Sequence, residues 1–146
     1  PPCIESVERR LHYVKMQGSE VFKLAVQNMG EVAQQLLREN GLTAADIDYV
    51  VVHQANKRII DSLLQRLGIP AEKTWVNIDR LGNTTAATIP LVMDEAWRAG
   101  KLDVGDRVML LSFGAGLTWG GMLLEWTLAK PAVVEQIPAT VGATAG

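Results

Sequence analysis

The chain holds one cysteine, Cys3, in 146 residues, so an internal disulfide is excluded. A single free thiol agrees with a reducing compartment, and a cytoplasmic location is expected. No block of Lys and Arg occurs: fourteen basic against sixteen acidic side chains leave a formal net charge of −2. Neither nucleic acid nor an anionic membrane is therefore expected as a partner, and small molecules or proteins are. No apolar run approaches the roughly 18 residues of a membrane span, and the first residues lack a charged region followed by an apolar signal core. There is no internal repeat. Asp48 lies near His53, but further ligands at useful spacing are absent, so no metal site is expected. Cys3 sits in a Pro-rich entry segment, away from any expected helix start or basic neighbour. Neither a lowered thiol pKa nor a nucleophilic role is expected of it.

What is present fits one domain, which at this length buries about 70% of its unfolded surface. Residues 1–13 begin Pro-Pro, carry charge without period and read as a connector into a domain over residues 14–126. The tail, residues 127–146, mixes Pro, Ala, Thr, Val and Gly without period and reads as a flexible or loosely docked extension. From Gly18-Ser19 a helix with Ser19 as N-cap carries Val21, Ala25, Met29, Val32 and Leu36 on one stripe and closes at Gly41. Thr43 caps a short turn through Asp46. Tyr49-Val50-Val51-Val52 is short, apolar and β-branched, as a strand buried on both faces should be. A helix over 55–67 follows and is stopped by Gly68 and Pro70. Residues 74–78 read as a second strand, 79–83 as the loop leaving it, and 85–99 as a helix whose first turns Pro90 bends or disturbs. A turn at 103–106, a strand over 107–112, a Gly-rich connection at 113–116 and a strand over 117–126 interrupted at Gly120-Gly121 complete the domain, the last two strands paired antiparallel. The fold class is α/β: a mixed sheet with helices on its faces, and a ligand site outside the carboxyl ends of the strands.

Two stretches land at that edge. His53-Gln54-Ala55-Asn56-Lys57-Arg58 leaves the first strand, and Gly82-Asn83-Thr84-Thr85-Ala86-Ala87 occupies the later turn. Taken singly, a histidine after a strand is more often structural, and a Gly-Asn turn is usually only a turn. Together they offer an imidazole and a carboxamide, and two donors converging on one oxygen suit a thioester carbonyl becoming an enolate. Asn suits the task because its N–H does not titrate. Phe113-Gly114-Ala115-Gly116 brings a third loop to the same edge. Asn56 either caps its helix or faces the site, and Lys57 and Arg58 by themselves read as a solvated face. His12 reads as surface, and Trp75, Trp97, Trp119 and Trp126 as core or interface anchors.

Four ordered stretches carry a family resemblance: Gly18-Ser19-Glu20-Val21-Phe22-Lys23, His53-Gln54-Ala55-Asn56-x-Arg58-Ile59-Ile60, Gly82-Asn83-Thr84-Thr85-Ala86-Ala87 and Phe113-Gly114-x-Gly116-x-Thr118-Trp119-Gly120. Over residues 14–126 the chain resembles the C-terminal half of β-ketoacyl-acyl carrier protein synthase III, in the thiolase-like superfamily. The resemblance implies a subunit of two pseudo-equivalent halves in five α-β-α-β-α layers, dimerising, with the nucleophilic cysteine on an N-terminal half that this chain lacks. It implies decarboxylative Claisen condensation of an acyl group from acyl-CoA with malonyl-acyl carrier protein in fatty-acid synthesis, these being substrates, with no cofactor. By the same resemblance His53 and Asn83 are the catalytic donors and the Ala115 backbone N–H belongs to the oxyanion hole of the acylated cysteine. Asn56, Phe113 and Gly82 bind substrate, and Lys57 and Arg58 receive the acyl carrier protein. Ala115 departs from the family's Phe-Gly-Gly-Gly turn, and its backbone donor survives if φ is negative. The isolated chain is not expected to turn over. Two alternatives stay open: another His-Asn condensing enzyme such as a type III polyketide synthase, or a non-catalytic carrier-protein-binding domain. Retention of both His53 and Asn83 argues against the latter.

Overall fold

The computed structural model describes residues 3–13 and 15–132. Its elements in chain order are α1 (Ile4–Glu8), α2 (Gly18–Glu39), β1 (Tyr49–Val52), α3 (Lys57–Leu67), α4 (Ile78–Leu81), α5 (Thr88–Arg98), β2 (Arg107–Gly114) and β3 (Thr118–Glu125). The sheet is mixed, ordered β1-β2-β3, with β1 parallel to β2 and β2 antiparallel to β3. A parallel pair needs a long crossover, and α3 through α5 supply it.

Alternation along the strands builds two cores. Val50 and Val52 of β1 and Met109, Leu111 and Phe113 of β2 meet Ala25, Met29 and Ala33 of α2 and Ile60, Leu63 and Leu64 of α3. Tyr49 and Val51, with Val108, turn to the other face against Val92 and Ala96 of α5, Trp75 and Trp126. Helices thus cover both faces of β1, which accounts for its unbroken apolar run. Among the described residues no helix is long and apolar enough to cross a membrane.

Several local expectations are corrected. Residues 74–78 form no strand: Thr74 makes one isolated parallel bridge to Val50, and α4 begins at Ile78. Side chains take over the pairing there. The Thr74 hydroxyl donates to the Val50 carbonyl at 2.6 Å, and the fully buried Gln54 accepts from the Asn77 N–H at 3.1 Å while donating to the Val52 carbonyl at 2.9 Å. The segment expected to be a loop is therefore partly the single helical turn α4. Ser19 lies inside α2, whose N-cap is Gln17. The region of Pro90 opens as a 3-10 turn over Thr85–Ala87, and the α-helix begins at Thr88. Pro90 then falls in the first turn, where a missing N–H leaves no helical bond unmade.

β3 runs without interruption through Gly120 and Gly121. A Cβ on Gly121 would lie 2.8 Å from Val32 Cγ1 and 3.0 Å from both Leu111 Cδ2 and Leu36 Cδ1, so this glycine lets α2 seat on the sheet. The entry segment, expected as an irregular connector, contains α1, where Ser6 Oγ accepts from the Cys3 N–H at 2.9 Å and donates to the Cys3 carbonyl at 2.7 Å. Of the tail, residues 127–132 are docked by the Trp97 indole N–H donating to the Ala129 carbonyl at 2.8 Å and by a Lys130–Asp103 ion pair at 2.9 Å. The remainder, residues 133–146, lies outside the described residues.

Candidate active site

The backbone sets His53 first. Its N–H donates to the Leu111 carbonyl at 2.9 Å, extending the parallel ladder one residue past β1 and fixing His53 beside the carboxyl end of β2. Its ring Nδ1 lies 2.6 Å from Thr88 Oγ1, at the first residue of α5. The same hydroxyl lies 3.1 Å from the Thr85 carbonyl, and the Thr85 backbone N–H donates to Asn83 Oδ1 at 2.9 Å. A continuous set of contacts therefore joins the imidazole to the carboxamide through the start of α5. Because Asn83 accepts through Oδ1, that contact does not engage its Nδ2 donors. The His53 ring is half-buried, and that burial lowers its pKa below the ordinary 6.5 by disfavouring the charged form. At neutral pH the ring is neutral.

The loop that delivers Asn83 is held in unusual conformations. Gly82 caps α4 at φ 68° and ψ −164°, a region open essentially to glycine alone. Thr85 has φ 55°, a left-handed conformation that costs a β-branched residue about 1–2 kcal/mol. Strain of this kind persists where surrounding contacts over-determine it. Here Asn83 Oδ1 holds the Thr85 N–H, and Glu95 anchors the preceding segment. Glu95 Oε2 accepts from Trp75 Nε1 at 2.7 Å, Asn77 Nδ2 at 3.1 Å and Arg80 Nη2 at 2.7 Å.

The other residues expected at the site divide. Asn56 is an N-cap, its Oδ1 accepting from the Arg58 N–H at 2.9 Å, so the capping alternative describes its oxygen. Lys57 pairs with Asp61 at 2.8 Å on its own helix, and the exposed Arg58 guanidinium sits 5.8 Å over the Phe22 ring. Phe113 is buried in the α2/α3 core at the end of β2, paired opposite Trp119. Ala115 is exposed in the turn that follows. Among the described non-glycine residues only Arg10 and Thr85 have positive φ, so Ala115 occupies its position without left-handed strain.

Cys3 requires a correction. It is the N-cap of α1, and hydrogen bonds from the backbone and side chain of Ser6 lower its thiol pKa. It is nonetheless exposed, on a helix with no buried residue. His12 is exposed as expected. Trp75 and Trp126 are buried core residues, whereas Trp119 is exposed. No grouping of His, Cys, Asp or Glu that could hold a metal occurs among the described residues.

Three residues that shape the site were not singled out from the sequence. Gln54 carried a weak signal, a polar residue closing an apolar run. Thr88 and Glu95 carried none, because their roles depend on how the start and middle of α5 lie against distant segments.

Comparison with known proteins places the chain in a family. The sequence model of the family described as 3-oxoacyl-[acyl-carrier-protein (ACP)] synthase III C terminal matches residues 37–126. A β-ketoacyl-[acyl-carrier-protein] synthase III of Desulfitobacterium hafniense is 48% identical over 127 residues, covering 87% of this chain and 38% of that protein. The crystal structure of the Aquifex aeolicus 3-oxoacyl-[acyl-carrier-protein] synthase III superposes with TM-score 0.76 at 45% identity, over 78% of this chain and 37% of that one. The Pseudomonas aeruginosa enzyme superposes with TM-score 0.78 at 40% identity, over 82% and 38%. The α/β layer of helices and a mixed three-stranded sheet is thus the thiolase-like fold of these synthase III structures. The chain belongs to the 3-oxoacyl-[acyl-carrier-protein] synthase III C-terminal family, and it spans about 38% of the length of the curated relatives it matches.

Proposed function

We propose that this chain is the donor-bearing part of a ketoacyl synthase III, which condenses an acyl group taken from acyl-CoA with malonyl-acyl carrier protein in fatty-acid synthesis. The observation that carries the reading is the line of contacts from His53 to the Thr88 hydroxyl, from the Thr88 backbone N–H to the Thr85 carbonyl, and from the Thr85 N–H to Asn83. It makes the two side chains one unit rather than two independent turns.

In the proposed reaction the malonyl C–C bond breaks, CO₂ departs, and the electron pair moves into an enolate whose oxygen receives hydrogen bonds from His53 and Asn83. The enolate carbon then attacks the acyl thioester carried by a cysteine on an N-terminal half, and the thiolate leaves. The Ala115 N–H holds the oxygen of that second carbonyl. Asn56 Nδ2, Gly82 and Phe113 line the substrate's approach. Two oriented donors are the right device, since each one removed typically costs about 10²- to 10³-fold.

The surface supports the proposed partners. Trp119 and Met122 are exposed on the edge strand β3, an apolar edge that soluble chains usually cover. The N-terminal half is assigned to that cover, which also shields the exposed Asn83 from water, and the complete subunits form a homodimer in the cytoplasm. Arg58, with Lys57 behind it, faces the acidic carrier protein. The test is reconstitution: a matched cysteine-bearing half mixed with this chain restores condensation of acyl-CoA with malonyl-acyl carrier protein. Robust condensation by the 146-residue chain alone contradicts the proposal.

A further inference from the structure

We infer that Thr88 is a positioning residue that sets which ring nitrogen of His53 carries the proton. The inference rests on the donor role proposed for His53. A neutral imidazole has one N–H, and its other nitrogen only accepts. His53 donates from Nε2 only if Nδ1 is bare, so whatever meets Nδ1 decides whether the ring stabilises an enolate oxygen or repels it.

What meets Nδ1 is the Thr88 hydroxyl, at 2.6 Å. That hydroxyl has one proton and two possible acceptors, Nδ1 and the Thr85 carbonyl at 3.1 Å. The Thr85 carbonyl can take the hydroxyl proton on its second lone pair, but it already accepts the Thr88 backbone N–H and makes the longer of the two contacts, so a hydroxyl that turns to the nearer Nδ1 leaves it satisfied. Nδ1 has no other partner among the described contacts and is the nearer acceptor. The proton therefore goes to Nδ1, and the ring proton is left on Nε2. Thr88 is itself almost fully buried, at 1% exposure, so water does not compete for its hydroxyl. Its place at the first residue of α5 aims the side chain back toward β1, and a continuous covalent path ties it to the strained Thr85. The turn that presents Asn83 and the hydroxyl that orients His53 are thus one construction, within six residues of each other.

The experiment uses the complete condensing enzyme containing this chain, ¹⁵N-labelled at histidine. The His53 resonances are assigned by their loss in His53→Gln and read about two pH units above the ordinary histidine value. Wild type is expected to show a protonated-type shift at Nε2 and a bare-type shift at Nδ1. Thr88→Val, nearly the same shape without the hydroxyl, moves both shifts toward those of an exchanging ring. It also lowers malonyl-thioester decarboxylation about tenfold, short of the loss on removing a donor altogether. Thr88→Ser restores both. A ring proton found on Nδ1 in wild type overturns the inference, and so do ¹⁵N shifts that Thr88→Val leaves unmoved. If Thr88→Val does not fold, the wild-type spectrum alone decides. The donor reading fails separately, by an unchanged decarboxylation rate in His53→Ala, which leaves the tautomer result standing.

Discussion

Arg80 Nη2 donates to Glu95 Oε2 over 2.7 Å, and this contact joins the two segments that bracket Asn83. Arg80 lies three residues before Asn83 in α4, and Glu95 lies beyond it in α5. Asn77 and Trp75 donate to the same oxygen, so one carboxylate gathers the whole approach to the Asn83 turn.

Glu95→Ala leaves three donors without their acceptor. The charged hydrogen bonds are mostly sheltered, so a stability loss of about 2–4 kcal/mol is expected, read from urea unfolding. Glu95→Gln keeps an acceptor oxygen and should lose less. Decarboxylation should fall in Glu95→Ala by more than unfolding explains, because Asn83 loses its anchor.

Burial lowers the His53 pKa from 6.5, so the unfolded chain binds this proton more tightly than the folded one. The resulting contribution to stability is fully present above the unfolded value and is lost as pH falls through the lower folded value. An NMR titration should place the His53 midpoint below 6.5. The denaturant midpoint should drop over the same acid range, less so in His53→Gln.

Gly121→Ala introduces a methyl 2.8 Å from Val32 Cγ1 and 3.0 Å from Leu111 Cδ2. Both contacts are side-chain methyls, but Leu111 is fully buried and Val32 is packed against the same core, so they have little room to yield and overpacking of about 1–3 kcal/mol is expected. Thermal unfolding checks it. Gly120→Ala is the comparison, since its Cβ meets no atom within 4 Å.

Arg58→Glu should raise the KM for malonyl-acyl carrier protein about tenfold and leave that for malonyl-CoA little changed, because only the former presents an acidic protein surface. The difference should shrink as salt is raised past about 0.5 M. Lys57→Glu should do less, since Lys57 is already paired with Asp61 at 2.8 Å.

Much of this fold is legible because the governing interactions are local. The β-branched run at Tyr49–Val52, the apolar stripe of α3 and its Gly68 stop are each specified by neighbouring residues. Residues 74–78 form no strand because a β-branched composition does not ensure a ladder: the Gln54 amide and Thr74 hydroxyl, each more than twenty residues from its partner, supply the bonds a strand would have made. α1 escaped notice because it buries nothing and so shows no apolar period. At the candidate site, the place of His53 is readable from its position just past β1, whereas Asn83, expected at the exit of a strand over 74–78, instead follows α4 and its Gly82 cap. Thr88 and Glu95 are not readable, since only the folded chain brings α5 against both.

The most direct measurement is malonyl-thioester decarboxylation by the complete enzyme containing this chain, compared with His53→Ala and Asn83→Ala. Each variant is expected to fall about 10²- to 10³-fold, and the double variant by less than the product if, as proposed, the two donors serve one oxygen. Full decarboxylation in either single variant, with the fold intact, contradicts a shared donor pair.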